Sequence, residues 1–133
     1  MDFQGKRGAG AFQWNRGGWF GAQLGSTLWL VLLGALLLIQ SKPAGGLVVL
    51  FGLLPNLLGC VLWRRRHTLS PYPAIQVLIA SCGVCALLGW ASIWAGGIPA
   101  SSSGMPGPWF LLMYPGLMVA FHLQERAARR ASA

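Results

Sequence analysis

Acidic side chains are almost missing: Asp2 and Glu125 are the only two among 133 residues. With one near each end of the chain, the sequence holds no paired carboxylates for general acid–base work. Nor does it hold a carboxylate cluster that could join His67 and His122 around zinc. Charge of either sign is scarce, at 9% of residues, where a soluble domain carries about 25% because its surface must face water. A Gly-rich phosphate loop is absent, as is a nucleophile set beside a base. These absences remove the usual footholds of catalysis, and the chain reads as a non-enzyme with no cofactor.

What is present is apolar. Residues 55% hydrophobic and a mean hydropathy of +0.58 are gathered into four runs. They extend over about 19–40, 43–63, 73–95 and 108–124, and no Asp, Glu, Lys or Arg interrupts any core. A bilayer core about 30 Å thick needs roughly 20 residues of helix, so each run is close to one span. The expected fold is an all-α membrane protein, a four-transmembrane-helix bundle of residues 19–124. A basic Gly/Arg-rich tail (1–18) precedes it and a basic tail (125–133) follows. The first run is too long for a usual signal-peptide core, and Gln40-Ser41-Lys42-Pro43 offers no small-x-small cleavage site, so it reads as an uncleaved signal anchor. Neither end carries a lipidation motif.

The basic residues fix an expected orientation. Lys6, Arg7 and Arg16 precede the first run; Arg64, Arg65 and Arg66 follow the second; Arg126, Arg129 and Arg130 follow the fourth. All nine fall on one side of an even-spanning bundle, against Lys42 alone on the other. Positive charge stays inside, so both termini are expected in the cytoplasm of a multi-pass protein of the cell (plasma or inner) membrane. Arg64, Arg65, Arg66, Arg126, Arg129 and Arg130 are the expected contacts to anionic lipid head groups. The tail from Gly5-Lys6-Arg7-Gly8 to Arg16-Gly17-Gly18 interleaves Arg, Gly and aromatics, but it is too short for an RNA-binding fold, and no nucleic-acid partner is expected. Trp19, Trp63, Trp94 and Trp109 fall near span ends, where an indole keeps one edge wet. Trp14 lies farther out in the tail, and Trp29 and Trp90 read as packing residues.

In lipid there is no hydrophobic drive between helices, so small and polar residues mark contact faces. Gly45, Gly52 and Gly59 recur every seven positions in the second run and drift only about 20° per step. Pro55 and Asn56 share that side; Pro55 removes a donor and predicts a kink, and Asn56 is read as the interhelical hydrogen bond that relieves it. In the third run Ser81, Cys82, Cys85, Gly89, Ser92 and Gly96 fit one arc, with Ile79, Leu87, Trp90 and Trp94 opposite and expected against lipid. Gly116-x-x-x-Ala120 beside a second expected kink at Pro115, and Gly21-x-x-x-Gly25, are further small-residue pairs. These faces suggest self-association or association with other membrane subunits, and the preferred function is an accessory or packing subunit.

Two contrasting functions have sequence handles. Cys82-Gly83-Val84-Cys85 in a four-span chain resembles the quinone-linked membrane thiol oxidoreductases of the vitamin K epoxide reductase and disulfide-bond-forming kinds. That resemblance covers four residues and the span count, and implies a redox role for Cys82 and Cys85. The chain departs from it in having only Cys60 in place of a second pair. It also sets Cys82 and Cys85 about 13 and 18 Å from the cytoplasmic end rather than near the outer face. The second function is passive transport of a small molecule, ion or lipid by an oligomer. Small multidrug resistance exporters are four-span proteins that pair, but they depend on a Glu in the first span, where this chain has Gln23 and Gln40 near the ends. His122, at the inner end of the fourth run, could ligate a haem or chlorophyll-type pigment axially; a snorkelling interfacial residue is the preferred reading.

Overall fold

A computed structural model describes residues 10–97 and 108–133. Lys6, Arg7 and the serine-rich loop at 101–103 lie outside the described residues. The order is α1 (Arg16–Ile39), α2 (Ala44–Arg64), α3 (Pro71–Ala95), a 3-10 stretch (Pro108–Leu112) and α4 (Met113–Ala131). The regular structure of the described residues is all helical, and α1, α2 and α3 are long and apolar enough to cross a membrane.

Local chemistry explains each boundary. Asn15 caps α1, its Oδ1 accepting from the backbone N–H of Gly17 at 3.0 Å and Gly18 at 3.3 Å. The same helix ends in a Schellman turn: Ser41 N–H donates to Leu38 O and Lys42 N–H to Leu37 O, both at 2.9 Å. Ser41 takes the left-handed position of that turn, φ 59°, usually left to glycine. Pro43 then leads straight into α2, giving the tight hairpin that Ser41-Lys42-Pro43 predicts. Pro71 and Pro73 fall in the first turn of α3, where a missing N–H removes no helical bond. Gly97, at φ 66°, follows the cap of α3 in the same left-handed geometry.

All four helices pack antiparallel to their neighbours in sequence. α1 lies on α2, α2 on α3 and α3 on α4, with a smaller contact between α1 and α3. Tyr114 Oη, near the start of α4, donates to Ser26 O of α1 at 2.9 Å, and Trp29 meets Phe110 edge to face at 5.0 Å. The core runs through Leu30, Leu37, Val48, Leu78, Cys82, Ala86 and Ile93, all almost without exposure. Outward-facing leucines such as Leu28, Leu32, Leu36, Leu57 and Leu87 are about half exposed, the pattern of a surface that meets lipid rather than water.

The fourth element differs from the expected span over 108–124. Regular helix starts only at Met113 and continues past Gln124 to Ala131. The apolar part, Pro108 to Leu123, rises about 27 Å at about 2.0 Å per residue in the 3-10 stretch and 1.5 Å in the helix, slightly short of a bilayer core of about 30 Å. Pro115 falls in the first turn of α4, where its missing N–H costs no helical bond, so the expected kink is replaced by the passage from 3-10 to α geometry.

Candidate functional site

The α1–α2 seam is built by two facing rows with spacings of three and four. α1 buries Trp19, Gln23, Thr27, Leu30, Gly34 and Leu37; α2 buries Gly45, Val48, Gly52, Pro55 and Gly59. The glycines lie where another chain segment is closest. A Cβ on Gly45 would meet Gly34 O at 2.5 Å and Leu38 N at 2.8 Å. One on Gly52 would meet Val31 Cγ2 at 2.8 Å, and one on Gly59 the Gln23 side chain at 2.5 Å. With no side chain between them, the two backbones gain dispersion contacts along the upper half of the seam.

The lower half is polar. Asn56 Nδ2 donates to Thr27 Oγ1 at 2.7 Å and to Gly52 O, one turn back, at 2.8 Å. Gln23 Nε2 donates to Asn56 O at 2.7 Å and to Cys60 Sγ at 3.5 Å, and Thr27 Oγ1 to Gln23 O at 3.3 Å. Trp19 Nε1 donates to Gly59 O at 3.2 Å, so this indole, 5% exposed, turns its polar edge into the protein instead of toward water. Ser26 Oγ back-bonds to Ala22 O. Gln23 Oε1 and Asn56 Oδ1 are buried without a hydrogen-bond partner among the described residues. Gln23 lies near a span end in sequence yet is 3% exposed; its spacing of four from Trp19 and Thr27 is the signal that places it on the buried face.

On α3, Cys82 is fully buried and Cys85 nearly so, and a Cβ on Gly89 would meet Leu30 Cδ2 at 3.0 Å. Ser81 and Ser92 are half-buried, their hydroxyls donating to Leu78 O and Leu88 O at 2.8 Å. Cys60, Cys82 and Cys85 are all free thiols, and Cys60 is exposed. Ile79, expected against lipid, is 6% exposed. α3 touches every other helix, and this packing covers Ile79. Leu87 and Trp94 do face outward. The pairs Gly21/Gly25 and Gly116/Ala120 make no close contact among the described residues: a Cβ on Gly21, Gly25 or Gly116 would find nothing within 4 Å, and Ala120 is exposed. α4 turns its buried Tyr114 to α3 and α1 and leaves Gly116 on the outer side.

One end of the bundle collects the described basic residues except Lys42, which sits in the α1–α2 turn at the other end. Here the chain before α1 is docked. Trp14, expected out in the tail, is 8% exposed; its Nε1 donates to Leu69 O at 3.0 Å, and its ring packs on Trp19 and Trp63. Phe12 lies against Phe121 and Tyr72. The Glu125 carboxylate, 3% exposed, accepts from Ala11 N–H and from Arg129 Nε, both at 2.9 Å, and closes against Gly10. Trp14 and Glu125 escape a reading of single residues because their partners Leu69 and Ala11 are 55 and 114 positions away.

The six expected head-group residues divide accordingly. Arg64, Arg65, Arg126 and Arg130 are exposed, whereas Arg129 is held by Glu125 and Arg66 stacks its guanidinium 5.0 Å from the Trp63 ring. Beside them Tyr72 Oη and His122 Nδ1 are 2.8 Å apart, bridging α3 and α4. Gln76 Nε2 donates to Met118 O at 3.0 Å one turn deeper. No group of three His, Cys, Asp or Glu side chains that could hold a metal ion occurs among the described residues. Comparison with protein-family models, curated proteins and solved structures found no match.

Proposed function

We propose that the chain is a multi-pass membrane protein of four antiparallel spans, its basic end and both termini in the cytoplasm, acting as a non-catalytic accessory subunit. The fourth span runs through the 3-10 stretch and the apolar half of α4, and a slight thinning of the bilayer accommodates its length. The gathering of basic side chains at one end of the bundle supports the orientation.

The accessory role rests on one observation: the small-residue pairs Gly21/Gly25 and Gly116/Ala120 lie uncovered on the outer faces of α1 and α4. Such pairs let helix backbones approach closely in lipid, and no helix among the described residues fills them. Purification in mild detergent followed by mass spectrometry tests this. Larger membrane partners should co-purify and be lost in Gly116→Leu; a monomer free of partners would refute it. The two unpartnered amide oxygens in the α1–α2 seam favour a second reading, a passive conduit in an oligomer. A defined homo-oligomer giving liposome flux would select that reading instead.

A further inference from the structure

Two open grooves flank the first turns of α3 at the basic end, and they share a wall. One, about 590 Å³, lies between α3 and α4 and is lined on its two sides by Pro73, Val77 and by Met118, Val119. The other, about 350 Å³, lies between α3 and the end of α2, with Leu62 and Ala74 in its lining. Pro73 and Val77, both exposed, line both grooves and so form the ridge between them. Each volume is within the roughly 300–1,000 Å³ range of small-ligand pockets. Polar groups lie beside the ridge: Tyr72 and His122 in the first groove, Thr68 and Ser70 in the second.

We propose that this pair of grooves is a binding site for one anionic diacyl phospholipid, its two chains straddling the Pro73–Val77 ridge and its phosphate at the Tyr72–His122 pair. Two apolar channels divided by a single ridge match a ligand with two tails joined at one head. Charge complementarity selects the anionic class. Tyr72 Oη and His122 Nδ1 are 2.8 Å apart; with the hydroxyl as donor, His122 Nε2 carries the imidazole proton and can donate to a phosphate oxygen. Arg126 follows His122 by one helical turn and is exposed, whereas the neighbouring Arg129 is already held by Glu125. The site deepens the membrane reading above and rests on it.

The test uses full-length protein, delipidated in mild detergent and offered equal amounts of phosphatidylglycerol and phosphatidylcholine with identical chains. Native mass spectrometry reads what is retained. One phosphatidylglycerol per chain is expected, favoured roughly tenfold. The double variant His122→Ala/Arg126→Ala should bring retention down to the phosphatidylcholine level. Val77→Trp, which fills the shared wall, should cut retention of both lipids, and Val119→Trp, from the α4 side, is the second variant should the first fail to fold. Inorganic phosphate should not compete. Equal retention of the two lipids, unchanged retention in a folded groove variant, or a changed oligomeric state without lipid loss would overturn the site. Carbonate extraction of the source membranes separates the two readings: a chain left in the pellet with no lipid preference overturns the site alone, and release into the supernatant overturns the membrane reading.

Discussion

Gly45→Ala isolates the interaction on which the α1–α2 seam depends. The added methyl would stand 2.5 Å from Gly34 O, 2.8 Å from Leu38 N and 2.9 Å from Leu37 Cβ. Two of these neighbours are backbone atoms, so no rotamer change relieves the overlap. Restoring an ordinary separation of about 3.4 Å means moving the helices about 0.9 Å apart, and a radial gap of about 0.5–1 Å forfeits a quarter to a half of each contact's dispersion energy. Lipid offers no hydrophobic compensation, so the loss falls on stability directly. Overpacking of this kind costs about 1–3 kcal/mol. Gly116→Ala is the matched control. Nothing lies within 4 Å of that Cβ, and alanine's better helix propensity makes the change neutral or stabilising by up to about 1 kcal/mol. Reversible unfolding of purified protein in mixed detergent–SDS micelles measures both. Equal stability of Gly45→Ala and wild type, or a Gly116→Ala loss as large as that of Gly45→Ala, would refute the reasoning.

Two other substitutions probe separate parts of the molecule. Cys82→Ala with Cys85→Ala should leave assembly and any deletion phenotype nearly intact, with a stability loss of about 1 kcal/mol per thiol from the small cavities left behind; loss of phenotype rescue by a stably folded double variant would restore the thiol-redox reading. Glu125→Ala should release the segment before α1, since Ala11 N–H loses its acceptor and the Phe12 contacts lose their anchor. The ion pair itself contributes little, because Arg129 is 57% exposed, so most of an expected loss of about 1–3 kcal/mol comes from the lost charge-assisted hydrogen bond of the Ala11 N–H. Trypsin cleavage after Arg16 should accelerate severalfold, and an unchanged rate would refute the docking.

The parts of this fold that depend on local chemistry were legible before any coordinates. Uninterrupted apolar runs placed α1, α2 and α3 to within three residues, and the heptad spacing of Gly45, Gly52 and Gly59 picked out the face of α2 that α1 meets. α4 was misplaced because hydropathy stops at Gln124, whereas Glu125, Ala127, Ala128 and Arg129 are strong helix formers and carry the helix on to Ala131. Ile79 reads as lipid-facing if α3 has one packed side, and only the tertiary arrangement shows helices on several sides. At the basic end the fit of Trp14, Phe12 and Glu125 joins residues at opposite ends of the chain, which no periodicity reports. The Tyr72–His122 bridge is of the same non-local kind: each residue alone reads as interfacial, and their 2.8 Å contact needs α3 and α4 side by side.

The four-span arrangement with the basic end in the cytoplasm is tested most directly by topology reporters. One is fused after Ala133 and another inserted at Ser102, each a reporter that is active on only one side of the membrane. The account predicts a cytoplasmic signal from the C-terminal fusion and an external signal from the Ser102 insertion, with α4 crossing between them. Both reporters on the same side would mean that the apolar run from Pro108 to Leu123 does not cross, and the four-span reading would be wrong.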